Sequence, residues 1–343
     1  MKALSAMTRH VAAAVLAVGL VPAALAQAPT GELLKRTMCV FDPIGQNGPL
    51  FAVTKSFRPA ILKEGIEMDM RAYTDEKIAA EDFKAKQCDA ALISGTRARE
   101  FNGFTGTLEA LGAIPSDEAM RILFHTLAQP KAAEYLINGN IEVAGVFPAG
   151  AVYLMTRDRT IDSLEKLQGR KVATLDYDEA SLTMVRHVGA SVVGSNAANF
   201  AGKFNNGSVD LAYAPAVAFT PMELYKGLQN NGGVMRFPLA YMNFQVLLHR
   251  DRFPEGSGDK VRQQALERIE EVYKIIADAE AEIKPEYWMD PAPEQIEAYR
   301  VMMRDVRIQL RDRGVYDARA LRLMKAVRCR LEPAQAECSQ ELE

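Results

Sequence analysis

One stretch, SLEKLQGRKVATLDYDEASLTMVRHVGASVVGSNAANFAGKFNNGSVDLAYAP from Ser163 to Pro215, restricts the fold more than any other part of the chain. Ser163 can cap a short helix with its side-chain oxygen, and Gly169 tolerates the left-handed conformation that stops one. Lys171 to Leu175 is then a β-rich run, Glu179 to Val188 carries apolar residues at helical spacing, and Val209 to Ala214 reads as a second buried strand. The pattern is βαβ. In open α/β sheets a ligand sits in the crevice beyond the carboxyl ends of the strands. The turns after Leu175 and Ala214 therefore make Asp176, Tyr177, Asp178, Pro215 and Ala216 candidates for contact with a small molecule.

The pattern has an echo. In DFKAKQCDAALIS, Phe83 and Asp89 stand six residues apart, as Phe204 and Asp210 do in KFNNGSVDLAYAP, and each segment leads into a small apolar strand. Two lobes of like construction with a cleft between them are favoured over one large sheet. The first lobe opens with a strand at 37–41 and a loop, DPIGQNGPLF, whose glycines permit close backbone approach. A helix is expected over 50–64, an alternating strand over 66–73, a helix capped by Thr74 or Asp75, and a third strand over 89–93. Asp42, Gln46 and Asn47 in the loop, Tyr73 at the second strand's end, and Ser94, Arg97 and Arg99 after the third then face the cleft.

The ends of the chain set its compartment. Lys2 and Arg9 precede an apolar run at 11–25 that is too short to span a bilayer, and Ala24-Leu25-Ala26 supplies small residues for cleavage. Residues 1–26 are expected to be an export signal, leaving a soluble periplasmic protein. Their loss lowers the 41 basic residues to 39 against 44 acidic ones, a balance that argues against nucleic-acid binding. In an oxidising compartment the four cysteines suggest disulfides. Cys39 and Cys88 open strands that lie side by side in the usual order of such lobes, about 4.8 Å apart, within disulfide reach. Cys329 and Cys338 can clip the tail.

Two long apolar runs, 144–156 and 241–250, suit crossover strands acting as a hinge. The division expected is lobe I at 27–156, lobe II at 157–237, and a return segment at 238–343. That last segment holds a bracing helix over 258–284 and two further helices over 293–313 and 317–327. Trp288 lies between them and is assigned to packing. Of the mature histidines, His125, His187 and His249, none has metal-ligand spacing, and no GxSxG, GxGxxG, HExxH or CxxC occurs. No metal, cofactor or catalytic group is expected, and a periplasmic enzyme is the weaker alternative.

The segments SLEKLQGRKVA, HVGAS and FNNGSVD resemble the second-lobe signature of TRAP-type periplasmic solute-binding proteins, with a bracing helix in the expected place. The finer likeness, in CVFDPIGQNGP, AYTDE, SGTRAREFN, LDYD and NFAGKFNNGSVD, is to a TRAP-like branch of solute-binding proteins associated with RND-superfamily transporters. The resemblance implies a bilobal α/β periplasmic binding protein whose two βα lobes are joined by crossover hinge strands. It also implies a small-molecule ligand and an inner-membrane transporter of TRAP or RND type as partner.

The departures from that family are informative. A family arginine that pairs with ligand carboxylate corresponds to Ala173, two residues after Lys171, and a second, on the crossover strand, falls near Val152. Losing one partner of a buried charge pair costs about 2–5 kcal/mol. A carboxylate ligand would then need Arg97, Arg186 or Lys203 as a substitute anchor. The other expectation is a less polar ligand walled by Phe147, Tyr153, Tyr177, Phe204, Tyr213 and Phe244.

Overall fold

The computed structural model describes residues 32–229 and 231–343, so the expected export signal lies outside the described residues. The strands are β1 (Leu34–Phe41), β2 (Ile66–Tyr73), β3 (Ala90–Ser94), β4 (Ile137–Asn138), β5 (Ile141–Thr156), β6 (Lys171–Leu175), β7 (Ser191–Ser195), β8 (Leu211–Pro215), β9 (Gly233–His249) and β10 (Trp288–Met289). Their order is β2-β1-β3-β9-β5-β8-β6-β7, with β4 added to β5 and β10 to β9. Two parallel blocks, β2-β1-β3 and β8-β6-β7, therefore flank an antiparallel ribbon of β5 and β9. Each block is the sheet of one α/β lobe. The lobes are bonded through the ribbon into one continuous sheet, with β5 and β9 as the expected crossover strands.

Register places the lobes on opposite ends of the ribbon. β3 docks on β9 from Ser94↔Phe244 to Ala90↔Leu248, and β8 docks on β5 from Val152↔Pro215 to Thr156↔Leu211. Of the four register shifts in the β5–β9 pairing, the step from Pro148 to Gly150 falls between these ends. Such bulges bend a ribbon and increase its twist. Gly150 has φ of +92°, and a Cβ there would stand 2.7 Å from Ile276 of the helix packed across the bend.

Local chemistry explains most of the helices. Asp75 caps Glu76–Lys84 by accepting from the Lys77 amide, and Asp178 and Asp317 do the same for Glu179–His187 and Ala318–Leu331. Three expectations are corrected. The helix over 50–64 is two, Pro49–Ser56 and Arg58–Lys63, because Pro59 offers no amide and its ring would meet the Lys55 carbonyl. The bracing helix is also two, Ser257–Glu267 and Ile269–Glu282, interrupted at Arg268. That guanidinium lies 4.2 Å from the Phe57 ring, donates to Ser56 Oγ at 3.1 Å and pairs with Glu271, so the two interruptions meet. The SLEKLQG segment forms only a single 3-10 turn, Glu165–Leu167, although Gly169 does adopt φ of +74°.

Both disulfides form: Cys39–Cys88 joins β1 to the start of β3 with Cα atoms 5.8 Å apart, and Cys329–Cys338 closes the tail. Trp288 packs edge-on against Tyr153 with ring centres 5.0 Å apart. The last helices bridge the lobes, Pro293–Asp312 packing on the 179–187 helix of lobe II and Ala318–Leu331 on the Asp117–Leu127 helix of lobe I. Arg307 and Arg328, both buried, pair with Glu337 and Glu343 and donate to the carbonyls of Leu111 and Ala113.

Gly150→Ala is expected to lower the unfolding free energy by about 1–3 kcal/mol from backbone strain alone. The loss should exceed that of Gly139→Ala, where φ is +59° but nothing lies within 4 Å of the added carbon. Equal losses in denaturant unfolding would show that the helix contact does not constrain the bend.

Candidate ligand-binding site

Strand alternation builds one wall of a cavity. Ile66, Met68 and Met70 of β2, Ala90, Leu92 and Ser94 of β3, and Phe244, Val246 and Leu248 of β9 recur at every second residue and share one face. The opposite wall is the helix pair 49–63, through Leu50, Val53, Phe57 and Ile61, with Val261 from the 257–267 helix. This arm lies inside lobe I. At Ser94 and Phe244, where the strands end, it opens into the interlobe cleft, met by Tyr177, Asp178, Tyr213 and Pro215 of lobe II. Together the two chambers form one cavity of about 450 Å³.

That volume is ordinary for a ligand pocket, about 300–1,000 Å³, and large for a packing defect. At about 24 cal/mol per Å³, a closed dry void of 450 Å³ would cost on the order of 10 kcal/mol. That is comparable to the whole stability of a domain. The space is better understood as a site for something.

The polar groups on the wall are spent on the protein itself. Both Asp42 oxygens are used, accepting from the Ile44 amide at 2.8 Å and the Phe51 amide at 2.9 Å. Glu76 accepts from the Ser94 amide at 2.6 Å and from the Tyr177 hydroxyl at 2.5 Å, a bond from lobe I to lobe II. Burial, then the Glu76 charge, pushes the Tyr177 hydroxyl well up, so it stays a donor. Arg97 lies 3.5 Å from the centre of the same ring. Arg99 faces Asp178 at 3.7 Å, and Asp178 also accepts from Ser181 Oγ and the Ala180 amide. Three carboxylates, Glu76, Glu109 and Asp178, thus face the cleft with Arg99 as the cation on its wall.

Glu109 accepts from Thr96 Oγ1 at 2.5 Å and from the Asn243 amide at 2.7 Å, with Gly95 allowing the approach: a Cβ there would come within 2.8 Å of it. Burial pushes its carboxyl up to about 7.

The sequence-derived candidates divide. Asp42, Ser94, Phe147, Tyr177, Pro215 and Phe244 line the cavity, as does Tyr213. Arg97 stands behind Tyr177. The others lie off the cavity wall for identifiable reasons. Gln46 and Asn47 are exposed on a 3-10 turn, and the Tyr73 hydroxyl donates to Asp82. Tyr153 donates to Glu280 behind the ribbon, and Phe204 is wholly buried in lobe II. Asp176 and Arg186 are exposed, and Lys203 donates to the Gly194 carbonyl. The family-arginine positions carry Ala173, fully buried, and Val152, on the cavity wall. Arg99, expected near the cleft, is on the cavity wall, whereas Glu76, Glu109 and the whole lobe I arm escaped the sequence reading. Alternation over 66–73 was a signal, but a filled core gives the same pattern.

A raised carboxyl lends stability that is complete below its ordinary value of 4.5 and is lost as pH climbs through about 7. Glu109→Gln cannot ionise, so its stability relative to wild type should rise by on the order of 3 kcal/mol between about pH 5 and about pH 8. Parallel unfolding curves for the two proteins across that range would show that Glu109 does not titrate there.

Comparison with known proteins agrees with this architecture. Residues 59–343 match the family described as "Solute-binding protein AdeT 1/2". The chain is 40% identical over 301 residues to the "Probable solute-binding protein AdeT1" of Acinetobacter baumannii, covering 88% of this chain and 99% of that one. Among solved structures, a TRAP periplasmic solute-binding protein from Desulfovibrio salexigens with bound orotic acid superposes with a TM-score of 0.72 at 13% identity, covering 86% of this chain and 97% of that one. One from Rhodoferax ferrireducens with bound malonate gives 0.70 at 13% identity over 87% of this chain and 100% of that one. The two solved structures share the fold. The match over 59–343 and the identity to a nearly whole relative establish more: the chain belongs to the solute-binding protein AdeT 1/2 family.

Proposed function

We propose that this protein is a periplasmic receptor that captures a small, largely apolar molecule between its lobes and delivers it, unaltered, to an inner-membrane transporter. Family membership supports a solute-binding role. The apolar preference rests on one observation: the cavity wall is overwhelmingly hydrocarbon, and its carboxylates already have donors of their own. A small dicarboxylate entering the cleft would meet Glu76 and Asp178 with Arg99 as compensation, and Arg99 is already facing Asp178. Delivery follows from the hinge. With lobe I at 27–156 and lobe II at 157–237, β5 and β9 are the crossings about which the lobes close, and Glu76, Arg97 and Tyr177 join them when closed. The partner is a TRAP-type or RND-type transporter, recognising the closed face.

A second reading is an uptake receptor for carboxylates with an unusual anchor. Arg99 favours it as the guanidinium on the cavity wall, and the solved relatives hold acids.

Native mass spectrometry of the protein produced with residues 1–26 and purified without detergent, followed by solvent extraction, separates the two. A co-purified apolar molecule is expected, and the same compound at a hundred times its Kd should stabilise the protein by about 2.7 kcal/mol. Malonate and succinate should leave the melting temperature unchanged. A small polar acid in the extract, with a matching thermal shift, would overturn the apolar assignment in favour of Arg99-anchored uptake.

A further inference from the structure

We infer that the captured molecule is a single-chain amphiphile whose alkyl chain fills the arm inside lobe I while a hydrogen-bond-donating, non-anionic head group occupies the cleft. This inference rests on the receptor reading above and specifies its ligand.

Shape is the first support. The arm runs along the strands from Ser94 and Phe244 at the cleft to Ala90 and Leu248 at the far end. Four residues of strand at about 3.3 Å each make it about 13 Å long, the span of a medium-length alkyl chain. It is bounded by one sheet face and one layer of helices. A rigid polycyclic ligand suits a rounded chamber, and an arm that runs along the strands between one sheet face and one helix layer suits a chain.

Chemistry is the second. Between its two ends the arm is walled by hydrocarbon and thioether side chains, including Met38, Met68 and Met70, with Thr54 committed to the Leu50 carbonyl at 2.7 Å. Methionines adapt to a flexible occupant, having unbranched side chains and polarisable sulfur. At the far end stands the solvent-exposed ion pair of Lys260 with Glu64, beside Phe253 and Pro254. A chain entering from the cleft thus passes through hydrocarbon until it reaches a charged rim.

The cleft dictates the other end of the ligand. Glu76, Glu109 and Asp178 stand against Arg99 there, so although each carboxylate already accepts from a protein donor, carboxylates outnumber guanidinium groups on that wall. An alcohol, amide or amine complements that surface. A carboxylate or sulfate adds to the excess.

Binding of 1-decanol, decylamine and decanoate, each below its micellar concentration, tests both halves of the assignment by calorimetry on the protein stripped of co-purified material. The alcohol and amine should bind more tightly than the acid. Within one head-group series each added methylene should lower Kd about fourfold until the arm is full. A decyl probe with a terminal diazirine should cross-link to peptides containing Met68, Ala90 or Leu248, which requires no variant to fold. Ala90→Phe, filling the far end, should shorten the chain length at which affinity stops rising and leave the butyl homologue unaffected. Tightest binding by decanoate would overturn the head-group assignment. Affinity flat with chain length, or cross-links confined to the cleft around Tyr177 and Tyr213, would overturn the chain assignment. An apolar but compact molecule in the native extract combined with those cleft cross-links would remove the amphiphile and leave the apolar-receptor reading standing. A polar acid in the extract would remove both.

Discussion

Because β5 and β9 pair from Ile141↔His249 to Thr156↔Gly233, neither lobe can be assembled without a strand it shares with the other. β5 is 16 residues long and β9 is 17, far beyond the usual five or six for a strand. One end of the ribbon receives β3 and the other receives β8. Hydrogen bonding alone would make such a ribbon stiff, but the register shift between Pro148 and Gly150 interrupts the ladder where the lobes part. The cavity opens at that bend, with Phe147, Pro148, Ala149 and Val152 on its wall. The same bend therefore supplies both the crossing between lobes and the floor of the site.

Where a local rule decided the structure, the sequence showed it. The alternation of 66–73 gave β2 to the residue, KVATL gave β6, and Asp75 and Asp317 cap the helices they precede. The neighbouring strands of Cys39 and Cys88 were legible for the same reason. What escaped depends on distant contacts. The break at Arg268 has no breaker residue and is fixed by Phe57 and Ser56, more than two hundred positions earlier in the chain. β7 is a half-exposed edge strand, SVVGS, with Gly194 lying against the solvent-facing Asp176 side chain. The strand-end rule found Tyr177, Pro215 and Ser94 on the cavity wall but placed Asp176 there as well, and Asp176 turns to solvent. Glu109 was invisible because nothing in EALGAIP distinguishes a buried acid from an exposed one.

Two buried charge clusters show different solutions to one problem. Arg307 and Arg328 are matched one for one by Glu337 and Glu343 and also donate to backbone carbonyls, so the tail charges are neutralised in place. In the cleft three acids share one guanidinium, Arg99, which faces Asp178. They are met by amides and hydroxyls from Ser94, Tyr177, Thr96 and Asn243, and Glu109 is held partly protonated near neutrality by burial. The first arrangement fixes a helix pair, and the second leaves a site with a sign.

The cavity is divided unequally between the two lobes: its arm is walled by lobe I strands and helices together with β9 and Val261 of the return segment, whereas Tyr177, Asp178 and Tyr213 reach the cleft only from lobe II. Contacts confined to one rigid lobe are made alike whether the lobes stand apart or together, and a ligand shifts a conformational equilibrium only by its differential affinity. Occupancy and closure are thereby set by different portions of a bound molecule. For the receptor proposed above, the portion in the arm would set residence and the portion in the cleft would set whether the transporter is presented with a closed receptor, so a molecule that fits the first but not the second would hold the protein silent.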